Sequence, residues 1–221
     1  MMAVAHGAAR PPIPDAISGP GVVAIARGQP ADRMDALADA LLRGGVRAFE
    51  ITLTTTDAIA SIQRLADGAR GRGLLVGAGT VVDIAGAEAA VEAGAGFLVS
   101  PHTDPAIVAW AVARGIAVFP GAMTPTEIRV AWDAGASAVK LFPASAVGPS
   151  FVRELRGPFR EIPLLPTGGL TTASIGEFIV AGAVAVGLGG GLIGDGTPEG
   201  VAARAAEAVA VVAAARTRDP R

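Results

Sequence analysis

Cysteine and tyrosine are absent from this chain of 221 residues, and lysine occurs once, at position 140. Without cysteine, the protein has no disulfide framework, no thiolate nucleophile and no cysteine-ligated metal. Histidine occurs only at positions 6 and 102, which is too few for a metal ligand set. The sequence therefore predicts a protein without a metal or any other cofactor, and it is compatible with a cytoplasmic location.

Strong charge of either sign and long apolar runs are also missing. The formal net charge is −2 with acids and bases interspersed, which argues against a nucleic-acid partner or a polybasic membrane patch. A membrane span needs about 18 apolar residues, and the longest candidate, residues 178–193, is interrupted by glycines. We therefore expect a small-molecule partner, no nucleic acid and no membrane. Residues 1–14 lack the apolar centre of a signal peptide and are expected to form a flexible N-terminal arm.

One unit recurs along the rest of the chain: an alanine-rich helical stretch, a glycine, and a short apolar strand. The glycines that end these helices are Gly45, Gly73, Gly94, Gly115, Gly135 and Gly182. Two further strands, at residues 22–26 and 162–166, bring the number to eight. This pattern predicts an α/β protein with a single-domain (β/α)8 TIM barrel over residues 15–216, followed by a tail at residues 217–221. The alternative is a doubly wound open sheet, but no G-x-G-x-x-G motif supports it.

Several helices carry clear start signals. Asp83 and Asp104 are predicted N-caps, and proline follows Asp104 at the first helical position. Thr124 with Glu127 has the spacing of a capping box. We also expect helices to begin near Ala31 and Thr171.

Two charged residues, Glu50 and Lys140, interrupt the apolar second and sixth predicted strands. These strands lie opposite each other in an eight-stranded barrel, and alternate strands fill the same interior layer. A buried lysine loses its proton or finds a partner, and a neutral lysine forms Schiff bases with carbonyls. The pair is therefore either a nucleophile beside an acid–base carboxylate, or an ion pair with a structural role.

The ends of the other strands provide candidates for anion binding. Glycine-rich loops follow the last two strands, where many barrels hold phosphate on backbone N–H groups, although ordinary tight turns have the same composition. Arg27 ends the first strand and is either a clamp for a carboxylate or phosphate or a surface residue. The loop glycines are Gly168, Gly169, Gly189, Gly190 and Gly191.

The chain resembles the family of 2-keto-3-deoxy-6-phosphogluconate aldolases and 4-hydroxy-2-oxoglutarate aldolases from about residue 22 to residue 191. The motifs that carry the resemblance are FEITL, VGAGTV, SPHTDP, FPGAMTPTE, VKLFPA and LPTGGL. The resemblance implies a metal-free class I aldolase on a (β/α)8 barrel, commonly a homotrimer. It also implies cleavage of a 2-keto-3-deoxy-4-hydroxy acid to pyruvate and an aldehyde, in cytoplasmic carbohydrate metabolism such as the Entner–Doudoroff pathway.

The same resemblance implies roles for individual residues. Lys140 is the Schiff-base lysine and Glu50 the proton shuttle, while Thr80 helps to hold the substrate carboxylate. The distal end of the site is formed by Thr167, Gly168 and Gly169. Pro101 and Phe142, within the SPHTDP and VKLFPA motifs, are further predicted substrate contacts.

Two positions depart from the family pattern. Thr54 stands where many members have arginine, and Gly190 or Gly191 stands where many have a phosphate-contacting serine. The 2-keto-3-deoxy-6-phosphogalactonate aldolases instead have an arginine equivalent to Arg27, which makes that activity an alternative. Two further alternatives are a sugar-phosphate epimerase or isomerase that forms no imine, and a non-catalytic binding barrel.

Overall fold

The computed structural model describes residues 9–69, 71–194 and 196–218. The strands in this part of the chain are β1 (Val22–Ala26), β2 (Ala48–Thr52), β3 (Leu75–Gly79), β4 (Phe97–Val99), β5 (Ala117–Phe119), β6 (Gly121–Ala122), β7 (Val139–Leu141), β8 (Leu164–Pro166) and β9 (Val186–Leu188). The helices are α1 (Asp15–Ser18), α2 (Met34–Arg43), α3 (Ala58–Gly68), α4 (Ile84–Glu92), α5 (Pro105–Ala113), α6 (Pro125–Asp133), α7 (Gly148–Leu155), α8 (Ile175–Val180), α9 (Gly190–Ile193) and α10 (Pro198–Arg218).

All of the paired strands run parallel. Six of them form one sheet in the order β5-β4-β3-β2-β1-β9, and three form a second sheet in the order β6-β7-β8. The predicted fifth strand is divided into β5 and β6 at Pro120, because proline has no N–H to continue the ladder. An isolated bridge from Thr167 to Gly187 links the end of β8 to β9. The predicted α/β fold with parallel strands is confirmed. The parallel sheet forms a half-barrel.

The helix boundaries follow the predicted caps closely. Asp83 accepts a hydrogen bond from the N–H of Gly86, and Asp104 accepts one from the N–H of Ala106. The capping box of Thr124 is complete. The six glycines predicted to end helices all have positive φ, a conformation that glycine adopts without steric cost.

Two predicted helix starts are displaced. A 3-10 turn occupies Ala31–Arg33 before α2 begins at Met34. The helix expected at Thr171 begins at Ile175, because the hydroxyl of Ser174 bonds to both the N–H and the carbonyl of Thr171 and closes a local turn there.

Two apolar clusters lie on opposite faces of the strands. The larger one packs between strands and helices, and the smaller one fills the interior. Successive residues of a strand point to opposite faces, so Val22 and Ala24 join the larger cluster while Val23 joins the smaller. In the interior, the rings of Phe97 and Phe119 pack edge to face with centroids 6.0 Å apart.

The N-terminal segment is described from residue 9, and residues 1–8 of the predicted arm lie outside the described residues. The guanidinium of Arg10 stacks on Trp132 at 3.3 Å from the ring centroid and donates to the Trp132 carbonyl. At the other end, α10 continues to Arg218, and residues 219–221 lie outside the described part. None of the described helices is long and apolar enough to cross a membrane.

Replacing Thr124 by alanine removes the hydroxyl that accepts from the Glu127 N–H at the start of α6. We expect the free energy of unfolding to fall by about 1 kcal/mol, as is usual for a lost N-cap. Urea denaturation measures the change, and Thr126→Ala, in the same exposed turn, is the matched control. Equal stability of the two variants would contradict the capping role.

Candidate active site

Lys140 and Glu50 lie in the middle of β7 and β2, and both side chains point into the interior. Their neighbours on the strands, Val139 and Leu141 in one case and Phe49 and Ile51 in the other, belong to the outer cluster. Because successive side chains alternate, the two charged residues face the other way. Lys140 is 3% exposed and Glu50 is 2% exposed.

A cavity of about 400 Å³ opens beside Lys140 at the carboxyl ends of the strands. Nine predicted site residues line it, namely Arg27, Lys140, Phe142, Thr167, Gly168, Gly169, Gly189, Gly190 and Gly191. The sequence did not identify four further lining residues, which are Ile25, Leu170, Thr171 and Gly187.

Glu50, Thr80 and Pro101 are absent from this lining. Glu50 is buried in β2, whereas Thr80 and Pro101 lie just beyond β3 and β4, respectively. A larger groove of about 540 Å³ lies outside, between α7, α8 and α10, and contains neither charged strand residue. Of the two charged strand residues, Lys140 therefore belongs to the smaller cavity, and Glu50 is buried outside its lining.

The environment of Lys140 favours its neutral form. Burial lowers the pKa of Lys140, the Glu50 carboxylate opposes that change, and the positive charge of Arg27 adds to it. Its Nζ lies 4.9 Å from the centroid of the Phe142 ring. A neutral amine at the wall of a cavity has the properties of a nucleophile toward carbonyl compounds.

Glu50 has one carboxylate oxygen without a polar partner in the described part of the chain. Burial raises the pKa of its carboxyl group, while the charges of Lys140 and Arg27 act in the opposite direction. Its Oε1 atom is buried and has no hydrogen-bond partner. Within residues 9–69, 71–194 and 196–218, no ion pair within 4.0 Å joins Glu50 to Lys140. The carboxyl group is therefore free to accept and return a proton.

Arg27 and Thr80 meet at the ends of β1 and β3. A guanidinium nitrogen of Arg27 donates to the Thr80 hydroxyl at 3.4 Å. Thr80 has a φ of 57°, which costs a non-glycine residue about 1–3 kcal/mol. The loop after β2 supports the same corner, since the Thr55 hydroxyl accepts from the Gly28 N–H at 3.0 Å.

The loop after β8 presents unused backbone donors to the cavity. Gly168 and Gly169 have positive φ, which lets the chain turn sharply there. In the part of the chain that the structure describes, the N–H groups of Gly169 and Leu170 donate no hydrogen bond. The first N–H groups of α9, at Gly190 and Gly191, also have no partner within their own helix. Such donors suit an anionic group.

No group of three or more His, Cys, Asp or Glu residues suited to a metal occurs among the described residues. The side chain of Ser145 packs closely against Gly169 beside the cavity. A methyl group on Gly169 would collide with it. The arrangement is thus one buried amine, one buried carboxyl group, one arginine and a set of backbone donors.

A family model described as KDPG and KHG aldolase matches residues 15–201. The chain belongs to this aldolase family. It is therefore an enzyme of the lyase class that acts on carbon–carbon bonds, and the predicted family is confirmed.

The similar proteins are named as aldolases of two different substrates. The 2-dehydro-3-deoxy-6-phosphogalactonate aldolase of Escherichia coli (strain K12) is 35% identical over 88% of this chain and 94% of its own length. The 2-dehydro-3-deoxy-phosphogluconate aldolase of Treponema pallidum (strain Nichols) is 38% identical over 65% of this chain and 68% of its own. A solved structure, "Native KDPGal structure", superposes with a TM-score of 0.84 at 33% identity, covering 89% and 96% of the two chains.

Replacing Lys140 by methionine distinguishes a functional lysine from a structural one. Because the amine is buried and, among the described residues, no ion pair within 4.0 Å joins it to Glu50, we expect the free energy of unfolding to stay the same or to rise, since an apolar side chain removes the cost of burying the amine. Urea denaturation tests this, with Leu141→Ala as a control that should cost about 2–5 kcal/mol. A loss of about 3–5 kcal/mol on removal of Lys140 would instead indicate a structural ion pair.

Replacing Arg27 by glutamine removes a positive charge that lowers the pKa of both Lys140 and Glu50. Both pKa values rise in the variant, so the pH profile of kcat/KM should move to higher pH as a whole. Arg114→Gln, which removes a charge stacked on Trp110, is the control and should leave the profile in place. An unmoved or acid-shifted profile for the Arg27 variant would contradict this electrostatic arrangement.

Proposed function

We propose that Lys140 attacks the C2 ketone of a 2-keto-3-deoxy-4-hydroxy acid and forms a Schiff base with it. The observation that carries the proposal is a single buried lysine, with a lowered pKa, on the wall of the cavity at the strands' carboxyl ends. The neutral amine adds to C2, the carbinolamine loses water, and the resulting iminium accepts the electron pair of the C3–C4 bond.

Glu50 moves the protons in this scheme. It accepts the proton of the C4 hydroxyl as the C3–C4 bond breaks, which releases the aldehyde and leaves an enamine on Lys140. The enamine is then protonated at C3, and hydrolysis of the imine releases pyruvate and the free amine. Support for this role is the raised pKa of Glu50 and, among the described residues, the absence of a hydrogen bond to its Oε1 atom, since a carboxylate whose pKa is raised by burial is a stronger base.

Arg27 and the glycine loops hold the negatively charged ends of the substrate. Arg27 lies on the cavity wall with its guanidinium oriented by Thr80, and an arginine binds carboxylate or phosphate in a fixed geometry. Among the described residues, the N–H groups of Gly169 and Leu170 donate no hydrogen bond, and these residues line the same cavity as Gly190 and Gly191 at the start of α9. Pro101 lies beyond the end of β4 with its carbonyl against Gly121, which pairs with Lys140, whereas Thr80 acts through Arg27.

The substrate we favour is a 6-phosphorylated 2-keto-3-deoxy sugar acid, with 4-hydroxy-2-oxoglutarate as a smaller alternative. Arg27 lines the cavity and stands where the resemblance implies an arginine in 6-phosphogalactonate aldolases, which favours that substrate over the 6-phosphogluconate one. Two relatives with that name cover 81% and 88% of this chain. The 6-phosphogluconate and 6-phosphogalactonate substrates are epimers at C4. Steady-state kinetics with these two compounds and with 4-hydroxy-2-oxoglutarate will rank the three by kcat/KM.

The finer architecture is also part of the proposal. The two sheets close into one eight-stranded barrel, supported by the bridge from Thr167 to Gly187 and by the single residue, Pro120, that separates β5 from β6. We further propose a cytoplasmic homotrimer that serves Entner–Doudoroff-type carbohydrate metabolism, as the family resemblance implies. Light scattering coupled to size exclusion tests the trimer.

Borohydride reduction in the presence of pyruvate tests the imine. We expect a stable mass gain on the peptide that contains Lys140, and no gain in Lys140→Ala, which should also lose all turnover. Folded protein that shows no adduct, or a Lys140→Ala variant that retains turnover, would overturn the proposal. Thermal stabilisation by keto acids without turnover would indicate a binding protein instead.

Replacing Glu50 by glutamine separates proton transfer from imine formation. The amide keeps the shape of the side chain but cannot accept the proton, so we expect turnover to fall by about 10²–10⁴-fold. The Lys140 adduct with pyruvate should still form and is measured by the same reductive trapping. Unchanged turnover in this variant would remove Glu50 from the mechanism.

A further inference from the structure

We propose that Gly79 is a positioning residue for Glu50, because the missing side chain of Gly79 provides the space that the carboxyl group occupies. A methyl group built on Gly79 would lie 1.8 Å from Oε1 of Glu50, 2.5 Å from its Cδ atom and 2.7 Å from its Cγ atom. No real Cβ atom approaches other atoms so closely, and every one of the three nearest atoms belongs to Glu50.

The backbone at Gly79 does not itself require glycine. Gly79 is the last residue of β3 and pairs in parallel register with Thr52. It is absent from the glycines with positive φ, so an alanine can adopt the same main-chain conformation. Gly168 and Gly135 have positive φ, which favours glycine at those positions. At Gly79 the reason for glycine is instead that a side chain would collide with Glu50.

Gly77, two residues earlier on the same face of β3, provides an internal comparison. The three atoms nearest to a methyl group on Gly77 all belong to the ring of Phe97, from β4. The two glycines thus leave two adjacent spaces on the inner face of β3. One is filled by an aromatic ring of the apolar interior, and the other is filled by the carboxyl group from β2.

This space matters because little else fixes the carboxyl group. Oε1 of Glu50 is buried and has no hydrogen-bond partner, and among the described residues no ion pair within 4.0 Å joins it to Lys140. Its location therefore depends on packing against β3. A methyl group at position 79 displaces the carboxyl group, which is the movable end of a flexible side chain, while the strand stays in place.

The inference rests on the proposed proton transfer by Glu50 and is tested with Gly79→Ala. We expect kcat to fall by about 10²-fold, a loss that a misplacement of about 1 Å can cause. Reductive trapping of pyruvate on Lys140 should persist, because the amine is not displaced. A Gly79→Ala variant with wild-type kcat, in a protein whose Glu50→Gln variant is impaired, would overturn the positioning role.

A double-mutant cycle separates action through Glu50 from a general effect on the fold. In the Glu50→Gln background there is no proton-accepting carboxylate left to misplace, so adding Gly79→Ala should change kcat less than twofold. Gly77→Ala is the matched control, and its effect on kcat should be the same in both backgrounds because it acts through Phe97. A full further loss on adding Gly79→Ala to Glu50→Gln would refute the inference.

A stability measurement keeps the inference testable even if Gly79→Ala folds poorly. In a Glu50→Ala background the carboxyl group is gone, so the alanine methyl at position 79 has room. We expect Gly79→Ala/Glu50→Ala to match Glu50→Ala in Tm, whereas Gly77→Ala lowers Tm in both backgrounds. A drop in Tm for the double variant relative to Glu50→Ala would contradict the proposed space. If Glu50→Gln alone keeps full turnover, the mechanism fails rather than the steric assignment.

Discussion

The desolvation of one amine is the constraint on which this site depends. Lys140 lies in a strand between Val139 and Leu141, with 3% of its surface exposed, and burial disfavours its charged form. Two other charged groups also affect the pKa of Lys140. Glu50 is close enough to influence the pKa of Lys140 without forming an ion pair, and Arg27 favours the neutral amine. A tight ion pair would have stabilised the protonated amine and removed its reactivity.

The interior is divided into an apolar part and a polar part along the strands. Val23, Ala48 and Ala138 join Phe97 and Phe119 in the inner cluster. Glu50 and Lys140 lie two residues further along their strands, toward the carboxyl ends, and the cavity begins there. The aromatic packing therefore lies at the amino-terminal side of the reactive groups, and the cavity lies at their carboxyl-terminal side.

Much of this arrangement could be predicted from the sequence, because the signals are local. The glycines that end helices, the caps at Asp83 and Asp104, and the alternation of side chains around Lys140 all depend on a few adjacent residues. The division of a strand at Pro120 and the late start of α8 depend on particular main-chain hydrogen bonds, which residue patterns do not specify. Contacts between distant segments were hardest to predict. The position of Thr55 beneath Gly28 and of Glu50 against Gly79 comes from strand register, and nothing in the FEITL or VGAGTV motifs reveals it.

The scarcity of lysine has a practical consequence. Every other basic side chain is an arginine, so an amine-directed reagent meets one side-chain target per molecule, and that target faces the cavity. Labelling stoichiometry at this residue is therefore an active-site titration that no surface lysine can obscure. For the same reason, amine coupling to a support has no second lysine side chain to use, which leaves the α-amino group as the alternative to Lys140.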